Sequence, residues 1–327
     1  MLKSIQVKNF RLFRDLTVKP LNRVNLIAGE NNTGKTALLE ALYLLYGDLN
    51  KFRKFPSGLR SSQDKDEIDS FWLWLLYQKK LENCLEVRAV DELNHTHFVR
   101  CDPSSSSKEQ LAFVFGEKGL FEAPRQVNKD GGSGTDKLGI NWPTLDVFST
   151  NPTRPSDDAD QFNRIAAKRG GRKRLIELLR VIEPRLQDLQ YLKLGQIPLV
   201  YADLGMEDLI PTTQLGQGFS RLLRLFSEIL VSKSTIVLID EIENGIHYSA
   251  MSEVWKGIAT IARQEDLQIF ATTHSYECIR SAHEAFSSEP TYDLALHRFE
   301  RVDDEIRVAT YNQETLETSM EMNLEVR

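Results

Sequence analysis

A chain of 327 residues with 41% hydrophobic and 27% charged residues has material for a sizeable core, and its length favours one large α/β domain or a two-lobed one. A formal net charge of −6 excludes a surface coated in positive charge for nucleic acid and leaves only a local basic groove open. Cys84, Cys101 and Cys278 lack paired spacing, which excludes a disulfide framework or zinc knuckle, and no run nears the ~20 apolar residues of a spanning helix. A cytoplasmic protein without stable membrane association is the expectation.

The opening LKSIQVKNFRLFRDLTVKPLNRVNLIAG alternates apolar and polar residues through Ile5, Val7 and Phe10, then runs apolar at Leu16 to Val18 and again at Val24 to Ala28. Three strands are predicted, the last buried and leading into GENNTGKT. That loop, Gly29 to Thr36, matches G-x-x-x-x-G-K-[ST] at every fixed position. Its glycines let backbone N–H groups curl around a phosphate, Lys35 supplies positive charge, and Thr36 offers a hydroxyl to magnesium. The apolar helix from Lys35 aims its positive end at the same place. A turn that spells the motif by chance is the bland alternative, and the strand-loop-helix context weighs against it.

Residues 47–70 read as a polar loop with a short helical piece. FWLWLLYQKK follows; Trp72 and Trp74 are of the type that stacks bases, but packing of this apolar run on a sheet is the expectation. LEVRAV and HTHFVRC read as antiparallel strands. His95 and His97 are taken as exposed strand residues, since no third or fourth metal ligand can be placed beside them. PSSSSK and NKDGGSGTDK are connectors, and TLDVFST is strand-like. Residues 48–148 are thus expected to be a β-rich insertion.

In RIAAKRGGRKRLIELL, six basic residues lie between Arg164 and Arg174 with no acid among them, which suits a nucleic-acid backbone or a solvated helix start equally. TQLGQGFSRLLRLFSEIL sets Gly216-Gln217-Gly218 before an amphipathic helix, a second place where glycines meet a helix N-terminus. Two phosphate sites of different design suggest a nucleotide shared by two subunits. STIVLIDEIENGIH then ends an apolar strand, Thr235 to Ile239, in an acidic pair. Asp240 suits the magnesium ion and Glu241 the polarisation of an attacking water. LQIFATTHS is another buried strand, with His274 at its exit where it could sense the γ-phosphate.

Together Gly29 to Thr36, Leu215 to Gly218, Ile236 to Glu241, Glu243 to His247 and His274 resemble the ATP-binding-cassette ATPases, in the branch of RecF, structural-maintenance-of-chromosomes heads and OLD-family proteins. The opening IQVKNFRLFRDLTV is similar to that branch's I-x-I-x-N-F-[RK] start, and DEIENGIH to its DE-x-E-x-x-[LI]-H. The resemblance implies an α/β P-loop NTPase fold: one two-lobed head over 1–327, its core in 1–47 and 149–327 with a mixed, largely parallel central sheet, and a β-rich lobe in 48–148. It implies ATP and Mg2+ as ligands. Gly29, Asn31, Asn32, Thr33, Gly34, Lys35, Thr36 and Ala37 would cradle the phosphates, Thr36 and Asp240 the ion. Glu241 would be the catalytic base and His274 the switch. Gly216 and Gly218 would cap ATP on the partner of a homodimer, with Glu243 to His247 at the seam.

Two features depart from that pattern: Gln217 interrupts the signature glycines where the family has serine before them, and only Gln161 offers itself as the Q-loop glutamine. No long heptad stretch interrupts the head, and about fifty residues follow His274, too few for the nuclease domain of OLD enzymes. The chain is expected to hydrolyse ATP as a switch in repair or phage defence, with an effector partner and DNA as candidate interactors. The other reading, the ATP-binding subunit of a membrane transporter, fits the N-F-R start and the missing conventional signature less well.

Overall fold

The computed structural model describes residues 1–47, 73–80, 82–102, 110–118, 121–128, 143–148, 154–180, 182–231 and 234–327. The expected loop at 47–70 and the connectors PSSSSK and NKDGGSGTDK lie almost wholly outside them.

The three opening strands form as the alternation predicts: β1 (Leu2–Phe10), β2 (Phe13–Val18) and the fully buried β3 (Val24–Gly29), which runs through the loop into α1 (Lys35–Tyr46). β3 lies inside a six-stranded sheet of order β15-β14-β3-β13-β12-β8. Its other members are β8 (Leu145–Phe148), β12 (Ile236–Ile239), β13 (Gln268–Thr272), β14 (Leu294–Val302) and β15 (Glu305–Tyr311). All neighbours are parallel except the edge pair β14 and β15. A strand covered on both faces reads as a continuous apolar run, which is why VNLIAG, IVLI and QIFAT show no alternation.

The two faces of this sheet pack into different cores. Leu26, Val237, Ile239 and Ala271 meet a layer of helices, whereas Ile27, Ile236, Leu238 and Phe270 meet α1 and the second sheet. The helix layer comprises α2 (Pro155–Ala166), α3 (Gly171–Leu179), α4 (Gln217–Val231), α5 (Tyr248–Gln264) and α6 (Tyr276–Ser287), and α7 (Gln313–Glu321) packs on α6. A small sheet of β9 (Asp188–Leu192), β10 (Leu199–Asp203) and β11 (Ile210–Pro211) leads into α4.

The second six-stranded sheet, order β2-β1-β4-β5-β6-β7, is antiparallel and adds β4 (Leu85–Asp91), β5 (Thr96–Cys101), β6 (Gln110–Glu117) and β7 (Phe121–Asn128). α1 lies between the two sheets, so every residue from Ala37 to Tyr46 is buried and the helix is apolar nearly all round. The polar exception, Glu40, takes two hydrogen bonds from Arg11 of the β1–β2 turn, from Nε at 2.9 Å and Nη2 at 3.3 Å. A buried carboxylate needs such a forked partner.

Three expectations are corrected. The strands do not sort at residues 48 and 148: β1 and β2 join β4 in the antiparallel sheet, and Leu145–Phe148 pairs parallel with β12 in the core sheet. His97 is buried, its Nδ1 2.9 Å from the Tyr46 hydroxyl, because the inner face of β5 packs on α1; burial pushes its pKa down. His95 is exposed as expected, beside Asp91 at 3.2 Å. In the run FWLWLLYQKK, Leu75 and Leu76 take the buried positions while Trp74 stays 48% exposed.

Candidate nucleotide site

The C-terminal ends of β3, β12 and β13 are neighbours in the sheet, so the residues that follow them converge on one cleft of about 880 Å³. Asn31, Asn32, Gly34, Lys35, Thr36, Ala37, Asp240, Glu241 and His274 all line it. Gly29 and Thr33 shape the loop from behind.

The loop's glycines are required by geometry. Gly34 has φ +94°, and a Cβ there would come within 2.6 Å of the Phe13 ring. At Gly29, φ +143°, it would sit 2.4 Å from the Phe299 carbonyl oxygen. Only glycine fits both. The Thr33 hydroxyl donates to the Glu30 carbonyl at 2.8 Å and closes the turn. Gly34 caps α1 with no side-chain hydrogen bond, leaving the helix N-terminal amides for an anion. Lys35 Nζ donates to the Gly29 and Glu30 carbonyls at 2.6 and 2.7 Å, folded against the loop it would leave to meet a phosphate. Burial pushes its pKa down, opposed by the carboxylates of Asp240, Glu243 and Glu241.

Across the cleft, the Thr36 hydroxyl lies 3.3 Å from both Asp240 oxygens, and the Thr272 hydroxyl donates to Asp240 Oδ1 at 2.5 Å. Two hard oxygen donors from different elements thus sit side by side, a set suited to a divalent cation such as Mg2+. Glu241 has φ +46°, a conformation non-glycine residues seldom adopt. Its backbone is held on both sides. The N–H donates to Thr272 Oγ1 at 2.8 Å, and the carbonyl accepts from Arg221 Nη2 at 2.7 Å. The Asn244 amide donates to its carboxylate. Glu243 accepts from the His274 backbone N–H at 2.9 Å, and His274 Nδ1 is 3.2 Å from the same carboxylate oxygen. Among the described residues, the second Glu243 oxygen is buried and has no hydrogen-bond partner.

The turn before α4 stands apart from this cleft. Gly216 has φ +93° and a Cβ there would meet nothing within 4 Å, while a Cβ on Gly218 would press on the Gly245 carbonyl at 2.9 Å. Neither glycine lines the cleft of its own chain, and Gln161 on α2 does not line it either.

Thr272 and Arg221 lie outside the motifs read from sequence, because no spacing rule links elements that meet only in the folded sheet; Asn244 lies within the Glu243 to His247 motif, but its contact with the Glu241 carboxylate is set by the turn. Arg221 is placed by the four-residue turn of α4, and burial lowers its pKa against the nearby Glu243 and Glu241. Arg301 of β14 donates to the Asn32 carbonyl at 3.1 Å and adds a further cation to the cleft wall. Three of the six basic residues of that segment make contacts within the fold: Lys168 donates to the Leu230 carbonyl at 2.8 Å, Arg172 pairs with Asp188 at 3.1 Å and Arg174 with Glu265 at 2.7 Å.

The chain is similar to known proteins in sequence and in fold. The family model described as AAA domain, putative AbiEii toxin, Type IV TA system, matches residues 24–280. Along nearly its whole length the chain is similar to the ATP/GTP phosphatase of Helicobacter pylori, 23% identical over 361 residues of alignment that cover 97% of each protein. A local likeness to the DNA replication and repair protein RecF of Pseudoalteromonas translucida is 52% identical over 65 residues, 20% of this chain and 18% of that one. Among solved structures, an Smc head bound to the C-winged helix domain of ScpA shares the fold at TM-score 0.61 and 13% identity, covering 98% of this chain and 99% of that chain.

Fold and cleft are those of an α/β P-loop protein of the ABC type, similar to the RecF, SMC and OLD-like ATPases. The chain belongs to the AAA family whose model spans residues 24–280.

Proposed function

We propose that the protein is a nucleotide-driven switch in which two copies close around two ATP molecules. Lys35 and the N-terminal amides of α1 hold the triphosphate of each; Thr36 and Asp240 hold Mg2+, which supplies charge neutralisation at the phosphates. Glu241 accepts the proton of the attacking water, with its carboxylate aimed by Asn244 and its main chain by Thr272 and Arg221. His274 reads the γ-phosphate in this scheme, a role supported by its place on the cleft wall and its tie to Glu243. The observation that carries this reading is the contact of the Thr36 hydroxyl with Asp240 at 3.3 Å beside a doubly clamped Glu241.

The homodimer rests on Gly216 and Gly218. Their turn is open to solvent and absent from its own cleft, and the α4 N-terminus behind it suits the phosphates of a partner's nucleotide. The partner processes are proposals of the same kind. The RecF relative is named for DNA replication and repair and the family description names a toxin-antitoxin system, which favours a DNA-linked or defence role with an effector protein. Cytoplasmic location agrees with the finding that no helix among the described residues is long and apolar enough to cross a membrane.

The test is Glu241→Gln. The amide keeps the size of the carboxylate and removes its proton-accepting role. ATP should remain bound, hydrolysis should fall by on the order of 10²-fold or more, and the mass by light scattering should double at saturating ATP. A variant that stays monomeric, or hydrolyses at the wild-type rate, overturns the shared-site mechanism.

A further inference from the structure

We propose that Trp74 is the stacking platform for the nucleobase of the bound nucleotide and accepts adenine and guanine alike; this rests on the nucleotide reading of the cleft above. The segment from Leu73 to Lys79 forms two 3-10 turns, and Trp74, Leu76, Tyr77, Gln78 and Lys79 wall the same cleft as Lys35 and Thr36. Its backbone is fixed from the β1–β2 turn. Arg11 N–H donates to the Leu75 carbonyl at 2.8 Å, the Arg11 guanidinium donates to the Trp74 carbonyl at 3.2 Å, and Phe10 bridges Leu76. Arg11 is in turn anchored on Glu40 of α1, the helix that begins at Lys35. The ring is therefore held at a set position relative to the phosphate loop.

With Leu75 and Leu76 sunk into the core, the Trp74 ring stays 48% exposed at the rim of the cleft. The Lys79 ammonium lies over the ring, 3.2 Å from its centroid. An exposed cation–π pair of this kind is weak and easily exchanged. Gln78 and Lys79 both hold left-handed backbone, φ 53° and 57°, which turns the chain so that Lys79 comes back over the ring. A base displaces the ammonium and offers a wider flat contact. Stacking accepts the π-face of every base, so the ring holds either purine without choosing between them. The cleft, at about 880 Å³, has room for a nucleoside triphosphate extended from Lys35 to Trp74.

The experiment compares ATP, GTP and inorganic tripolyphosphate on the full chain, wild type against Trp74→Ala and Trp74→Phe, by calorimetry with Mg2+ present. Trp74→Ala should raise the Kd for ATP and for GTP by roughly 5- to 100-fold and leave tripolyphosphate within about twofold. Trp74→Phe, which keeps a ring, should recover most of the loss. ATP should also quench indole emission in the wild type, and the quench should vanish in Trp74→Phe. Unchanged ATP and GTP affinity in Trp74→Ala overturns the platform. So does an equal loss for tripolyphosphate, which would assign Trp74 to the cleft wall alone. A wild-type protein that binds none of the three overturns the nucleotide reading itself, and the platform with it.

Discussion

Both Gly29–Thr36 and Gly216–Gly218 are glycine-bracketed leads into a helix, yet the structure treats them oppositely. The first is packed on its inner side: Phe13 and the Phe299 carbonyl press on its glycines, Lys35 is bonded to its own loop, and Thr36 meets Asp240. The second needs Gly216 for its φ of +93°, faces open space there, and does not line its own cleft, although Arg221, one turn further along α4, reaches the Glu241 carbonyl. On the nucleotide reading proposed above, a phosphate site at the ends of buried strands is pre-organised within one chain. On the same reading, the turn on the tip of α4 is half of a site that a second copy would complete.

The sharpest way to break this contrast is at the packed loop. Lys35→Ala removes the cation that meets the phosphates, so ATPase activity should fall by roughly 10³-fold and ATP binding should be lost in calorimetry. Retained ATP affinity would remove the loop from the site. The half-site should respond differently. Gly218→Asp in the Glu241→Gln background should abolish the ATP-dependent doubling of mass while each monomer still binds ATP within about threefold, because the carboxylate would face a partner's phosphate and not its own. Gly218→Ala meets the same 2.9 Å contact with the Gly245 carbonyl without the charge, and should only shift the doubling to higher ATP. If Gly218→Asp weakens ATP binding in the monomer as much as Lys35→Ala does, the two regions are one site and the comparison fails.

The smallest effect tests the scaffold under the packed loop. His297 of β14 is buried, its ring nitrogens 3.0 Å from the Thr310 hydroxyl and 3.3 Å from Asn25 Oδ1, and burial lowers its pKa to about 3. It stays neutral in the folded chain while the unfolded chain takes up a proton near pH 6.5, so stability present at neutral pH is lost as pH falls from about 6.5 toward 3. Between pH 7 and pH 5 this amounts to about 2 kcal/mol. His97 and His283, both lowered by burial, act in the same direction. Urea midpoints at the two pH values should diverge in the wild type by more than in His297→Gln; equal divergence would mean His297 is not the group responsible.

The linear sequence determined what depends on short-range order. Gly29 to Thr36 is recognisable because a phosphate loop is one contiguous turn whose backbone angles demand glycine at set spacings, and β3 and β12 because strands covered on both faces read as unbroken apolar runs. It also marked Asp240, Glu241 and His274, each at the exit of such a run. Only the tertiary structure decided which residues hold those groups in place. Thr272 reaches Asp240 because β12 and β13 are parallel neighbours, and Arg221 reaches Glu241 because α4 packs over the strand end. It moved Leu145–Phe148 into the core sheet, buried His97 against Tyr46, and left Trp74 on the cleft rim while its leucine neighbours sank. Composition cannot separate these outcomes, since a tryptophan or a histidine on an apolar segment has the same local pattern whether the surface opposite it is a helix or a cleft.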